Sequence, residues 1–329
     1  WADAYKQYSF LIKNKKHSLH AIALYKASWC LFRLGKTEEG IKYLDYIIRS
    51  GRSAEMANTS GRKKVNRLRL ENEAIKDLIV FFSDVGDVKR AITYYTSLNT
   101  KESLSAIEKM AYYLSNKGEQ NSARYIFNYL ITNEPMSKKA FEFQYQIVQG
   151  YFFSKNQIEF KVELYKWIKN YNNKSSWYAA QKSDESFMKA NDQLREKTLR
   201  NYILQQHQTA QNSHAESSIQ AADQGYKLYF QEFTDFPDAG DMHFFYGELL
   251  YELRRFGDAV NEYMVIVSKY PNNKYIEKAA QNALLALEKV MPNDEDLQKR
   301  IGDSIEPMVL DEKINQFITT ANWYITKYP

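Results

Sequence analysis

The stretch Phe256-Gly257-Asp258-Ala259-Val260-Asn261-Glu262-Tyr263-Met264-Val265-Ile266-Val267-Ser268-Lys269-Tyr270-Pro271 decides how the rest of the chain is read. A small residue, Ala259, is followed after three residues by the aromatic Tyr263, and after seven more by Pro271. The same spacing occurs at Gly225, Tyr229 and Pro237, and again at Ala123, Phe127 and Pro135. Pro237 and Pro271 stand 34 residues apart, the length of one two-helix repeat unit. Each slot has a mechanical reason. The small residue lets two helices approach closely, and the aromatic fills the gap to the next pair. The proline lacks an N–H and clashes with the preceding turn, so the second helix stops there. One pair leaves a face uncovered, and neighbours must stack to bury it.

Further segments share this register. In 21–52, Leu24, Ala27, Leu31 and Leu34 lead to Gly35, and Ile41, Leu44, Ile47 and Ile48 follow. In 70–99, Ile75, Leu78, Ile79 and Phe82 precede Gly86-Asp87, then Ala91 and Tyr95. In 104–135, Ile107, Ala111 and Leu114 precede Gly118. Recurrence at three and four residues is the mark of amphipathic helices, and glycine supplies the left-handed residue that ends each first helix. Residues 138–171 read as a further pair, with Phe141, Tyr145, Val148 and Phe152 packed against Val162, Tyr165 and Ile168. Regularity then fails: 172–176 reads as a loop and sub-domain boundary, 184–211 as one long polar helix, and 207–224 as the tip of a long hairpin. The 275–290 segment is a strong helix, and 310–328 closes the stack. Pro135 and Pro237 are 102 residues apart, three periods, yet only two irregular hairpins can be counted between them.

Composition agrees with a helical repeat. Of 329 residues, 44% are hydrophobic and 26% charged, which describes a folded chain. Only 12 Gly and 6 Pro are too few for a loop-rich or all-β fold. No apolar run approaches a membrane span, a net charge of +5 is too mild to imply nucleic acid, and one cysteine makes no internal disulfide. Trp1, Ala4, Tyr8 and Leu11 fit the second helix of a repeat whose first helix is absent, so the chain reads as a fragment of a larger protein.

On these residues the chain resembles tetratricopeptide-repeat proteins, most clearly over 21–52, 104–135 and 240–273, and more weakly at 1–16, 70–99 and 205–237. In 240–273 the matching residues are Gly247, Phe256, Ala259, Tyr263 and Pro271; His243 stands where the family often has Trp, and Leu250 where Tyr is usual. The run Tyr25-Lys26-Ala27-Ser28-Trp29-Cys30 is similar to envelope-associated repeat proteins of gliding and predatory bacteria. The resemblance implies an all-α, right-handed superhelical solenoid of six or seven hairpins, irregular in its C-terminal half. It implies a truncated helix at 1–18, an N-terminal array at 19–175 and a C-terminal array at 176–329. It also implies a concave groove lined by first-helix residues: Tyr25, Trp29 and Arg33; Lys76 and Asp84; Glu108, Tyr112 and Asn116; Gln144, Tyr151 and Lys155; Phe244, Glu248, Tyr251 and Glu252. Trp29 and Phe244 fit packing as well as recognition. Tyr25 and Trp29 occupy the first two slots of the clamp some relatives use for a chaperone's C-terminal carboxylate, which disfavours that ligand.

Candidate chemistry is sparse. Gly35-Lys36-Thr37 lacks the earlier glycine of a phosphate loop, whose place is held by Cys30 inside a helix. His17 and His20, three apart in an inter-helix loop, and His207 and His214, seven apart, do not make a zinc pair, and His243 reads as a packing residue. Cys30 reads as a small buried hydrophobe. Glu38-Glu39, Asp184-Glu185 and Asp294-Glu295-Asp296 sit at helix starts, where negative charge offsets the helix dipole. The insert 51–69 is different: Arg52, Arg62, Lys63, Lys64, Arg67 and Arg69 read as a basic patch, either a solvated loop or a dock for an acidic partner or anionic lipid. No stacking aromatics accompany it, so nucleic acid is not expected. The expected function is a non-catalytic scaffold without cofactor or metal, binding a protein or peptide in the groove, with an envelope or periplasmic setting favoured over the cytoplasm. The alternatives are the helical domain of a cell-wall enzyme and an outer-membrane assembly lipoprotein subunit.

Overall fold

The computed structural model describes residues 1–55, 62–302 and 309–329, with side chains described outside 51–55, 62–68, 300 and 301. The described residues form seventeen helices and no strand. Two compact units divide at Ser183 and Asp184. Unit 1 opens with α1 (Ala2–Lys13) and continues as four hairpins. These are α2 (His20–Arg33) with α3 (Thr37–Glu55), α4 (Arg62–Val85) with α5 (Val88–Leu98), α6 (Lys101–Asn116) with α7 (Gln120–Asn133), and α8 (Lys138–Phe153) with α9 (Gln157–Asn170). A short α10 (Ser176–Gln181) follows. Unit 2 pairs α11 (Glu185–Ser213) with α12 (Glu216–Glu232) and α13 (Ala239–Glu252) with α14 (Phe256–Lys269). Its last hairpin joins α15 (Ile276–Glu288) to α17 (Glu312–Lys327), with α16 (Asp294–Ile301) between them in sequence. Between Pro135 and Pro237 lie two hairpins and α10, so the three-period separation is a coincidence of length.

One backbone position sets the register of every regular hairpin. The residue ending the first helix adopts positive φ: Gly35 at 74°, Gly86 at 78°, Gly118 at 87°, Lys155 at 55° and Arg254 at 58°. The amide of the next residue closes the turn, as in Lys36 N to Leu31 O at 2.8 Å, Glu119 N to Leu114 O at 2.9 Å, Asn156 N to Tyr151 O at 3.1 Å and Arg255 N to Leu250 O at 2.8 Å. Five residues on comes the small slot, held by Gly40, Ala91, Ala123 and Ala259, with Phe160 as the exception; all five are buried. Four further on, Leu44, Tyr95, Phe127, Leu164 and Tyr263 are at most 1% exposed. Left-handed φ costs a side-chain-bearing residue about 1 kcal/mol relative to glycine. Arg254→Gly is therefore expected to raise unfolding free energy by about 1 kcal/mol, measured by urea denaturation; a loss of stability would contradict the shared turn geometry.

The absence of glycine at position 155 accounts for two departures from the expected core. Phe152 and Val162, expected in the core of the α8/α9 pair, are 46% and 52% exposed. Anchored on Lys155, Val162 falls in the slot of Lys42, Thr93, Tyr125 and Asn261, all exposed. Phe152 touches the rings of Phe160 and Phe153, at 5.6 and 5.9 Å between centroids, and stays 46% exposed. α10 docks at the opposite end of the hairpin, where Trp177 Nε1 donates to Ser137 O at 2.7 Å.

Candidate partner-binding face

Counting back from the positive-φ residue gives three first-helix positions, ten, six and two residues before it, which share one face at four-residue intervals. In α2 they are Tyr25, Trp29 and Arg33; in α4, Lys76, Val80 and Asp84; in α6, Glu108, Tyr112 and Asn116. Several of these residues bridge hairpins. Tyr25 Oη and Trp29 Nε1 both donate to Asp77 Oδ2, at 2.6 and 2.7 Å. Tyr112 Oη donates to Glu142 Oε1 at 2.5 Å, and Lys139 Nζ lies 2.7 Å from Glu108 Oε2. Asp84 accepts from Thr37 Oγ1 at 2.6 Å, and the Arg33 guanidinium lies over the Trp1 ring at 5.9 Å. Burial, and then the Asp77 carboxylate, push the Tyr25 phenol up to about 12. Burial and Glu142 likewise push Tyr112 above its ordinary value. Both phenols are thus fixed as donors near neutral pH, each tying one first helix to the next. Lys76, Asn116 and Arg33 stand exposed beside these bridges.

Three expected groove residues in α8 belong elsewhere. Gln144 is 2% exposed and bonds Glu163 of its own hairpin. Tyr151 occupies the core slot of Leu31, Phe82, Leu114 and Leu250, and carries the Arg124 guanidinium 3.9 Å from its ring centroid. Lys155 is the turn residue itself. In α13, Phe244 holds the face position ten residues before Arg254; it is 7% exposed and stacks on Tyr275 at 4.4 Å. In α8 the face positions are Tyr145, Gln149 and Phe153, which a lysine at the glycine position concealed. Elsewhere in unit 2, Glu248 accepts from Tyr263 Oη at 2.5 Å and Asn282 Nδ2 at 2.7 Å. Tyr251 packs edge-on to Phe256 at 5.1 Å, one position away from the face register.

The remaining candidates resolve individually. Among Arg52, Arg62, Lys63, Lys64, Arg67 and Arg69, only Arg69 has a described side chain, and it is exposed. Residues 56–61 of the basic insert lie outside the described residues; the backbone on either side is helical, in α3 and α4, not a loop. Gly35-Lys36-Thr37 is a hairpin turn, and Cys30 is buried. His20 opens α2 instead of lying in a loop, while His17 Nδ1 accepts from Leu19 N at 3.1 Å. His207 is buried and pairs with Tyr226 Oη at 2.7 Å; burial lowers its pKa from the ordinary value, so the ring is neutral at pH 7. His243 stacks on Phe230 of the preceding hairpin at 3.8 Å and bonds Glu262 Oε2 at 2.6 Å. Glu38-Glu39, Glu185 and Asp294-Glu295-Asp296 lie in first helical turns, and the Asp184 side chain caps α11. Among the described residues no cluster of three or more His, Cys, Asp or Glu side chains could hold a metal, and no helix is long and apolar enough to cross a membrane.

Comparison with known proteins adds a local match. A tetratricopeptide repeat family model matches residues 22–50, which lie in α2 and α3. No curated protein matches the chain. Among solved structures it is similar to a chain of Naa15/Naa10 bound to HypK-THB, at 14% identity and a TM-score of 0.26, over 98% of this chain and 54% of that one. The present chain thus spans about half the length of that relative. It is also similar to a tetratricopeptide repeat protein from Parabacteroides merdae (14% identity, TM-score 0.24, 85% of this chain and 99% of that one). A circular tandem repeat protein is similar at 12% identity and a TM-score of 0.24, over 99% and 72% of the two chains. Residues 22–50 thus carry a tetratricopeptide repeat, and the positive-φ turn that ends its first helix recurs at Gly86, Gly118, Lys155 and Arg254.

Proposed function

We propose that the chain is a non-catalytic scaffold that binds a protein or peptide along the first-helix face of its hairpins. The observation that carries this reading is the row of aromatic and charged residues on α2, α4 and α6. Tyr25, Trp29 and Tyr112 are held by carboxylates of the following hairpin, while Arg33, Lys76 and Asn116 remain exposed beside them. Fixed aromatics flanked by exposed polar groups suit peptide recognition, because little side-chain entropy remains to be lost on binding. Arg69, seven residues before Lys76, lies on the same side of α4 and extends the face toward the basic stretch.

Lys76→Glu combined with Asn116→Arg, both exposed and remote from the core, is expected to reduce affinity capture of the bound partner by about tenfold or more. Lys42→Glu with Asn121→Arg, at exposed second-helix positions, is expected to leave capture unchanged. The reverse pattern would move the binding surface to the second helices.

A further inference from the structure

The α11/α12 hairpin departs from the repeat in a way that stacking does not require. In the regular hairpins the small slot follows the positive-φ residue by five positions; here His214, at φ 52°, precedes the corresponding Gly225 by eleven. Both helices therefore run about six residues, or ~9 Å, past the point where other hairpins turn. Inside unit 2 this overhang and the C-terminal turn of α13 enclose a cleft of about 320 Å³. Ile219, Leu249 and Leu253 supply apolar walls, and Gln211, His214 and Glu252 supply polar groups. Glu252 occupies the face position two residues before Arg254, where other hairpins carry Arg33, Asp84, Asn116 and Phe153. Its Oε1 accepts from Gln211 Nε2 at 2.8 Å, and its carboxylate has no cationic partner among the described residues.

We propose that this cleft receives a basic side chain, lysine or arginine, of the partner bound by the scaffold. The methylene stem lies against Ile219, Leu249 and Leu253, and the cationic head reaches Glu252. Long basic side chains combine these two demands, an apolar stem and a charged tip, and Gln211 holds the carboxylate in place for a charge-assisted hydrogen bond. The assignment rests on the scaffold reading and adds the chemistry of one anchor.

The test uses the intact chain with methyl-labelled isoleucine and leucine, titrated with N-acetyl-arginine amide, N-acetyl-lysine amide and N-acetyl-glutamate amide. The basic probes are expected to shift the Ile219, Leu249 and Leu253 methyl signals with millimolar affinity, weakened by salt, and the acidic probe to leave them in place. Glu252→Gln, which retains the hydrogen bond to Gln211, is expected to weaken the basic probes about tenfold. No shift at 100 mM probe, equal shifts by the acidic probe, or unchanged affinity in Glu252→Gln would each overturn the assignment. Partner capture that survives Glu252→Gln but is lost in Lys76→Glu/Asn116→Arg would remove this anchor while leaving the scaffold reading intact.

Discussion

Replacing Trp167 with alanine is expected to lower the unfolding free energy of the chain by about 3–5 kcal/mol, the range for deleting a large buried aromatic. Trp167 is fully buried, and its ring lies 5.0 Å from that of Phe141 and 4.9 Å from that of Tyr145. Its Nε1 donates to the Phe141 carbonyl at 3.2 Å, so truncation opens a cavity and also removes this inter-helix hydrogen bond. Phe141 in turn stacks with Trp177 at 5.5 Å, which carries the damage into the docking of α10. In a repeat array each hairpin contacts mainly its neighbours, so the remaining hairpins cannot compensate. Phe153→Asn in the same hairpin removes a side chain that is 66% exposed and should change stability by less than about 0.5 kcal/mol. Urea unfolding followed by far-ultraviolet circular dichroism compares the two; a loss below about 1 kcal/mol for Trp167→Ala would contradict the packing of α8 on α9.

Gly247→Ala is the second large effect. A Cβ built on Gly247 would sit 2.5, 2.8 and 3.0 Å from three ring carbons of Tyr263, closer than van der Waals contact allows. The ring has nowhere to go. Tyr263 is fully buried, and its hydroxyl is held by Glu248 at 2.5 Å. Alanine's helix propensity favours the substitution by about 1 kcal/mol, but overpacking outweighs it, and the expected net loss is about 1–3 kcal/mol. Gly257, also helical, has nothing within 4 Å of its built Cβ, so Gly257→Ala should be neutral or stabilising by up to about 1 kcal/mol. A Gly247→Ala protein as stable as Gly257→Ala would mean that α13 and α14 are not so closely apposed.

These two sites show what sequence reading could and could not reach. Gly247, Ala259 and Tyr263 were legible because small and aromatic residues at fixed spacing have one mechanical use, close helix approach. The helix pairs followed for the same reason, since Gly35, Gly86 and Gly118 mark their turns. The face residues were legible only as far as those glycines extended. Tyr25, Trp29, Glu108 and Tyr112 sit in the bridges between first helices, whereas Gln144, Tyr151 and Lys155 were displaced because Lys155 itself takes the left-handed conformation that glycine usually signals. The carboxylates that hold the aromatics, Asp77 and Glu142, gave no local signal. Their role depends on the offset between neighbouring hairpins, which spacing within one hairpin does not encode. The long α11/α12 hairpin was legible, with 207–224 as its tip, but its turn residue was not, because His214 takes the left-handed conformation that glycine usually signals.

The central claim, that a partner lies along the first-helix face, is tested most directly by placing the photo-crosslinking residue p-benzoylphenylalanine at single exposed positions in the intact chain. Partner adducts are expected from positions 76 and 116 and none from positions 42 and 121; adducts from 42 and 121 with none from 76 and 116 would place the partner on the second helices instead.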